Sequence, residues 1–435
     1  MTTARYADGT TISRGANGRP SRYVNPRNGV AASWDRNGRL ASVSRRGPDG
    51  SRMNIRRGPG NERRIETTRT VPGGVEHVVS YGRGRGYVER PFPGRPGFVQ
   101  RTVVFGGRSY GVVYHSYFYY GVHLYSPVPA VLFAPAFYGW MFSPWPAPIY
   151  YTPTLWGWAG QPWYGYYGGY FSPYPAYATP DQWLTDYVIS TNLQAAYADQ
   201  QAGPAPSGPP PPEGYPAPDE GAPASPEGPP SADNSPPPPP APITDDEKAI
   251  MDQDVKDELA REQQQAAAGN TAENQSPPQI PSALQDHLFM VFAAPVQATL
   301  TNGQTCELAD GDMLLRTGNS LNSDKTVDVT VKSSRADAHY PDLCPASAPA
   351  RVQLADLQEM DNHKNDLLAQ GEQKQADLMG KNQKHGGLPK GPSAQPTTVA
   401  AGQAPTYDQA MAVLNQQLSD ADTTETQVAT AASGG

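Results

Sequence analysis

The chemistry open to this chain is set first by its cysteines. Cys306 and Cys344 are the only thiols among 435 residues and lie 38 positions apart. Neither belongs to a C-x-x-C pair, so a structural zinc site is not expected. Two readings stand, a disulfide or two unrelated buried thiols. A bridge closing that loop would contribute about 3 to 4 kcal/mol on the chain-entropy account, a large share of the stability of a small module. Gly107-Arg108-Ser109-Tyr110-Gly111 spells the G-x-S-x-G of a nucleophile elbow and follows the strand-like Thr102-Val103-Val104-Phe105. An elbow needs a helix next. Val112 to Tyr117 is β-patterned instead, so Ser109 reads as a chance match in Gly-rich sequence. The seven histidines form no H-E-x-x-H motif and no i, i+4 pair, and no paired-carboxylate site emerges. The expectation is a protein that is not an enzyme, with no metal and no cofactor.

Flat rings offer a second chemistry. Residues 105–187 hold 28 of the 41 aromatic residues, interleaved with Gly and Pro. Rings beside hydroxyls can stack on sugar faces, support self-association, or pack on one another in place of an aliphatic core. Trp140, Trp145, Trp156, Trp158 and Trp163 are the candidate glycan-stacking residues. Arginine offers a third chemistry. Residues 1–110 contain 21 Arg, no Lys and seven acids, a balance of +14 against −22 for the remainder. Bidentate guanidinium contacts suit phosphate or carboxylate polymers, and Arg56, Arg57, Arg63, Arg64, Arg83 and Arg85 are the candidate polyanion-binding residues. Gly82-Arg83-Gly84-Arg85-Gly86 also has the composition of an RGG-like segment, with Tyr81 and Tyr87 beside it for stacking. Plain turn geometry accounts for the same glycines.

The elements that must position these groups are written in punctuation. Asp8-Gly9, Asn17-Gly18, Asn28-Gly29, Asn37-Gly38 and Asp49-Gly50 recur at spacings of 9, 11, 9 and 12, which is the beat of successive β-hairpins with type I′ turns. Short runs such as Arg22-Tyr23-Val24 and Leu40-Ala41-Ser42-Val43 between them predict a meander or short β-solenoid with a thin core. Asp35-Arg36-Asn37-Gly38-Arg39-Leu40-Ala41-Ser42-Val43 resembles the D-x-x-G-R-L-x-x-V core of the YD (RHS-type) repeats of bacterial surface and secreted proteins. Ala16-Asn17-Gly18-Arg19 is a weaker echo, and Trp34 stands where those repeats carry Tyr. The resemblance spans about residues 5–60 and implies an extended β scaffold outside the cytoplasm.

In the aromatic zone, Phe142-Ser143-Pro144-Trp145-Pro146 recurs as Phe171-Ser172-Pro173-Tyr174-Pro175. Proline at this density predicts turns and polyproline II with stacked rings. Asp181 opens a helix to about Gln200 whose Trp183, Leu184, Tyr187 and Val188 share one face. The run from Ala136-Phe137-Tyr138-Gly139-Trp140 to Trp183-Leu184-Thr185-Asp186-Tyr187 resembles a family of uncharacterised Tyr/Trp/Pro-rich proteins of acidobacteria-like soil bacteria. That family brings no activity, only the implication of a secretory signal. The visible start, Met1-Thr2-Thr3-Ala4-Arg5, instead reads as a turn pattern already in progress, as in a truncated or misassigned start.

Beyond it lies an acidic polyproline linker, with 18 Pro in residues 204–242. Thr244-Asp245-Asp246-Glu247 is a capping box that starts a mostly solvated helix to about Ala268. Strands are predicted at His287 to Phe292, Val296 to Leu300, Thr305 to Leu308, Met313 to Thr317, Thr326 to Lys332 and Arg351 to Leu354. They suggest a small SH3-like or other open β-barrel. A helix follows from Asp356 to Met379, then a low-complexity tail with a short helix at Asp408 to Leu418.

The expected organisation is mixed, mainly β and irregular. It comprises an Arg-rich hairpin module (residues 1–104), an aromatic zone (105–200), a linker (201–243), a helix (244–268), a small β domain (281–358), a helix (359–380) and the tail (381–435). No transmembrane helix is expected, since the most apolar stretch, Val128 to Trp140, is cut by Pro129 and Pro135. The leading expectation is a non-enzymatic extracytoplasmic or cell-surface scaffold that meets envelope polysaccharide, or copies of itself, through its aromatics. The alternative is an intracellular nucleic-acid or polyanion-binding protein using the Arg-rich region.

Overall fold

A computed structural model describes residues 2–35, 38–57, 63–82, 85–105, 108–128, 131–201, 241–269, 278–292, 296–336, 343–394, 397–398 and 406–433. The expected Arg83 and most of the expected polyproline linker lie outside the described residues.

The hairpin beat is realised as one antiparallel meander of twelve strands whose spatial order is their chain order. These are β1 (Thr2–Arg5), β2 (Thr11–Arg14), β3 (Pro20–Asn25), β4 (Val30–Trp34), β5 (Leu40–Arg46) and β6 (Arg52–Arg57). The second half is β7 (Arg63–Val71), β8 (Gly74–Gly82), β9 (Arg85–Pro91), β10 (Phe98–Phe105), β11 (Arg108–Tyr119) and β12 (Val122–Val128). The sheet thus runs past residue 104 into the aromatic zone, because Tyr, Val and Phe in alternation serve a pleated surface as well as shorter strands do. Ser109 sits within β11, opposite Val104, with no helix following it.

The turns differ from the type I′ expectation. Gly9, Gly18, Gly38 and Gly50 have positive φ, whereas the Asp or Asn before Gly9, Gly18 and Gly50 does not. Tyr6 N donates to Thr10 O at 2.9 Å and Gly9 N to Tyr6 O at 3.0 Å, and the same pair of bonds recurs at Gly15, Asp35 and Gly47. This is the three-residue loop that ends in a left-handed glycine. The carboxylate or amide oxygens of Asp8, Asn17 and Asp49 accept from the amide two residues on, which fixes the turn without positive φ.

The aromatic zone folds into short helices, each opened by a proline at a first-turn position that needs no donor: α1 (Pro135–Met141), α2 (Pro153–Trp156) and α3 (Pro162–Tyr167). Then comes α4 (Pro180–Gln201), close to the expected helix. A two-residue strand, β13 (Val131–Leu132), pairs with β20 (Thr397–Thr398).

Helix α5 (Asp245–Ala267) begins with the expected capping box: Thr244 Oγ1 accepts from Glu247 N at 3.2 Å, and Glu247 Oε2 accepts from Thr244 N at 2.7 Å. It is not solvated. Met251, Val255 and Leu259 are fully buried, together with Glu247, Lys248, Asp252, Asp254, Glu258 and Glu262. Polar residues can line a buried helix when each finds a partner. Lys248 Nζ donates to Ser172 O at 2.9 Å, Asp254 accepts from Leu288 N at 3.1 Å, and Glu247 accepts from Ser333 Oγ at 2.7 Å.

The small β unit is an open six-stranded antiparallel sheet, not a closed barrel. Its strands are β14 (Leu288–Met290), β15 (Val296–Leu300), β16 (Thr305–Leu308), β17 (Met313–Arg316), β18 (Thr326–Ser333) and β19 (Pro349–Gln353), arranged β14-β17-β18-β19-β15-β16. Val327, Val329 and Val331 supply the buried face, as their alternation predicts. Helix α6 (Leu354–Leu378) crosses α4 at Gly371. A Cβ there would lie 2.7 Å from Leu184 Cδ2 and 2.9 Å from Tyr187 Cδ1, so the close crossing requires glycine.

The tail is the largest departure from expectation. It forms α7 (Tyr407–Ser433), which lies across the outer face of the twelve-stranded sheet. Its 27 residues make about 40 Å of helix, close to the roughly 43 Å that separates β11 from β2. Ala410 and Leu414 pack on Val78, Val88 and Val104, and Ala421 and Val428 pack on Ile12, Tyr23, Val30, Val43, Ile55 and Ile65. Gln417 is buried between them. Its amide donates to Val78 O at 2.7 Å and Ile65 O at 3.2 Å, and accepts from Ser80 Oγ at 2.6 Å.

Candidate functional site

The candidate site grows from the β11–β12 hairpin at one edge of the large sheet. Tyr120 and Gly121 both have positive φ, so this two-residue loop is a true type I′ turn, with a tyrosine in a region that non-glycine residues seldom occupy. One face of the hairpin is anchored: Tyr117 and Leu124 are buried in the core of the six-stranded sheet, with Tyr119 and Val122 against it. On the strand pair's other face, Phe118 and His123 oppose each other and stack at 4.8 Å with ring planes 18° apart. Phe118 is 74% exposed and Tyr120 73%. Tyr125 continues the row at 4.8 Å from His123. Desolvation pushes the His123 pKa below its ordinary value against the opposing field of Glu89, so the imidazole is neutral at neutral pH. No Lys or Arg occurs in the sequence between Arg108 and Lys248. The result is a ring platform with hydroxyl and imidazole edges, whose inner end at Tyr125 rests on the buried Arg101–Glu89 pair, the Arg101 guanidinium lying 4.8 Å from the Tyr125 ring.

The five candidate tryptophans lie elsewhere and face inward. Trp145, Trp158 and Trp163 are 5%, 4% and 6% exposed, and Trp140 and Trp156 are half-buried. Trp158, Trp156, Trp183 and Tyr187 form one column, with successive centroids at 4.5, 4.7 and 5.4 Å and planes 11°, 17° and 16° apart. Trp156 Nε1 donates to Tyr177 Oη at 3.1 Å, and Tyr177 Oη donates to Asp186 Oδ2 at 2.6 Å. As folded, these indole faces are taken by other rings and serve as core. His115 packs on Phe98, not on His123.

Most of the candidate arginines are also occupied within the chain. Arg57 and Arg63 hold Glu425 at 2.8 and 2.9 Å, and Arg63 also holds Asp422 at 2.6 Å. Arg64 is buried and pairs with Glu66 at 2.6 Å, and buried Arg85 pairs with Asp310 at 2.8 Å. Among the described residues Arg56 makes a loose pair with Glu66 at 3.9 Å, and its charge also bears on buried Asp356.

Cys306 and Cys344 are joined, S–S 2.06 Å, and both are buried in the six-stranded unit. Among the described residues no group of three or more His, Cys, Asp or Glu is placed to hold a metal ion, and no helix is long and apolar enough to cross a membrane. Several acids are buried instead. Burial lifts Asp186 to about 6, against the lowering hydrogen bonds of Tyr177 and Tyr174. It lifts Asp312 to about 7 despite the amides of Ala309 and Arg335. Glu262 and Glu372 face each other between α5 and α6; burial raises both, Glu262 raises Glu372 further, and the hydrogen bond from Glu372 lowers Glu262, so the pair shares a proton held on Glu372.

The exposed hairpin tip was the part that residue typing missed. Its only sequence signal is Tyr-Tyr-Gly at 119–121, a turn glycine inside an aromatic run. Comparison with protein-family models, with curated proteins and with solved structures finds no match to this chain.

Proposed function

We propose that this chain is a non-enzymatic scaffold of the extracytoplasmic space or cell surface that meets neutral polysaccharide through the rings of the β11–β12 tip. The observation that carries the reading is the stacked, exposed Phe118–His123 pair beside exposed Tyr120, on a hairpin whose opposite face is locked into a core. Flat apolar faces next to hydroxyl and imidazole edges suit the alternating CH and OH surface of a sugar. The absence of charge in the sequence around the tip favours a neutral polymer. The disulfide fits an oxidising compartment, and an extracytoplasmic scaffold is also what the YD-repeat likeness implies.

The test is retention on insoluble polysaccharide, with cellulose and peptidoglycan as matrices. Phe118→Ala with Tyr120→Ala should lower retention about tenfold, the scale set by losing two exposed ring contacts. Retention equal to the parent protein on every matrix that binds it would sink the proposal. Replacing Trp158 or Trp163 is not an equivalent test, because those rings are core and their loss perturbs the fold.

A further inference from the structure

The inward face of the large sheet changes character halfway along. On β7 to β11 it carries Arg64, Tyr81, Tyr87, Arg101 and Tyr114, all buried. On β4 to β6 the same face, followed through the strand registers, carries Ser33, Ser42, Ser44, Asn54 and Arg56. These short side chains do not fill the space to the second layer. Between them and Gln297 of β15 lies a cleft of about 410 Å³, within the size range of ligand sites.

The register also places Arg22, Ser33, Ser42 and Arg56 side by side in one cross-strand row. Three strand intervals separate its ends, about 14 Å. Ser33 Oγ and Ser42 Oγ lie 2.7 Å apart at its centre. Arg57, Arg63 and Arg64 each have a carboxylate within 2.9 Å, but the nearest carboxylate to Arg56 is at 3.9 Å, and its side chain is 38% exposed. Among the described residues no aromatic ring lines the cleft, so a ligand there is recognised by polar edges and not by stacking.

We propose that this cleft binds an acidic oligosaccharide of the uronate type, laid across β3 to β6. Its carboxylates pair with Arg56 and Arg22, and its hydroxyls pair with Ser33, Ser42, Asn54 and Gln297. Guanidinium forks match carboxylates bidentately, and two of them about 14 Å apart suit spaced charges. This site is separate from the hairpin tip.

The experiment is calorimetric titration of the full-length, oxidised protein with trigalacturonate, with maltotriose and a short oligonucleotide as comparison ligands. Trigalacturonate should bind, with maltotriose weaker by at least about tenfold. Arg56→Gln should weaken trigalacturonate about tenfold, and Arg56→Gln with Arg22→Gln further, in variants whose far-UV spectra match the parent's. Asn54→Leu, which fills the cleft and leaves the charges, should also weaken it. Phe118→Ala should leave this binding intact, so failure of the tip proposal and failure of this one are separable. The proposal is overturned by no trigalacturonate binding at millimolar concentration. Binding unchanged in the double arginine variant, or preference for maltotriose or the oligonucleotide, overturns it equally.

Discussion

Asp186 allows a quantitative test of how the aromatic core is held. Its Oδ2 accepts from both Tyr174 N and Tyr177 Oη at 2.6 Å, while its Oδ1 is buried with no hydrogen-bond partner. Burial therefore favours the protonated form, lifting the carboxyl from 3.8 to about 6. A carboxyl raised in the folded state binds its proton more tightly there than in the unfolded chain. Its stabilising contribution is complete below about pH 3.8 and is lost as pH rises through about 6. Two pH units at about 1.36 kcal/mol each amount to about 3 kcal/mol. Asp186→Asn removes this titration and keeps the acceptor: the amide oxygen takes the place of Oδ2, and the NH₂ group takes that of the unpartnered Oδ1. Urea unfolding followed by tryptophan fluorescence at pH 4, 5, 6 and 7 is the assay. The variant's stability should fall less than the parent's across this window, by up to about 3 kcal/mol, whatever constant offset the substitution adds. Parallel pH profiles for the two proteins would refute the reasoning.

Three other expectations follow from packing and covalent structure. Reducing the Cys306–Cys344 bridge, which closes a separation of 38 residues, should cost about 3 to 4 kcal/mol, read as a lower unfolding midpoint in reductant. Gly371→Val should destabilise by at least about 2 kcal/mol by forcing α4 and α6 apart at Leu184 and Tyr187, measured by thermal unfolding. Leu414→Ala should cost about 2 to 4 kcal/mol and speed amide exchange in β8 to β10, since Leu414 is 2% exposed between α7 and that part of the sheet.

The parts legible in the sequence were those governed by local chemistry. The Asp-Gly and Asn-Gly beat marked the meander because a hairpin turn is a matter of a few adjacent residues. Alternation at Val327, Val329 and Val331 and the Thr244 to Glu247 capping box were legible for the same reason. What could not be read was which faces meet. Helix α5 looks solvated because its buried residues are charged, and their partners, Ser172, Ser333 and Leu288, are far away in the chain. The tryptophans look available for sugars until Trp183, in another element, is seen closing the stack on Trp156. Ring exposure is a tertiary property, so composition found the aromatic zone but not the outward-facing β11–β12 hairpin within it. Helix α7 was shortened because its contact residues are mainly small, Ala410, Ala421 and Val428, with a glutamine between them.

The charge asymmetry finds its explanation in that same helix. α7 carries Asp408, Asp420, Asp422 and Glu425 and no basic residue, and it lies on the arginine-rich sheet. Glu425 is central: Arg57 Nε and Nη2 donate to its two oxygens at 2.9 and 2.8 Å, and Arg63 reaches Oε2 at 2.9 Å. The excess positive charge of the N-terminal region is thus partly spent on the tail, which also covers the apolar face of β2 to β7. This predicts weak retention of the parent protein on DNA-cellulose at physiological salt. Glu425→Gln with Asp422→Asn should destabilise by about 2 kcal/mol by leaving two partly buried guanidiniums without their anions, and should increase retention on DNA-cellulose as those groups turn outward. The increase should vanish at high salt. Strong, steeply salt-dependent retention of the parent protein would mean that the arginines are available despite α7, and the intracellular polyanion-binding reading would then displace the scaffold.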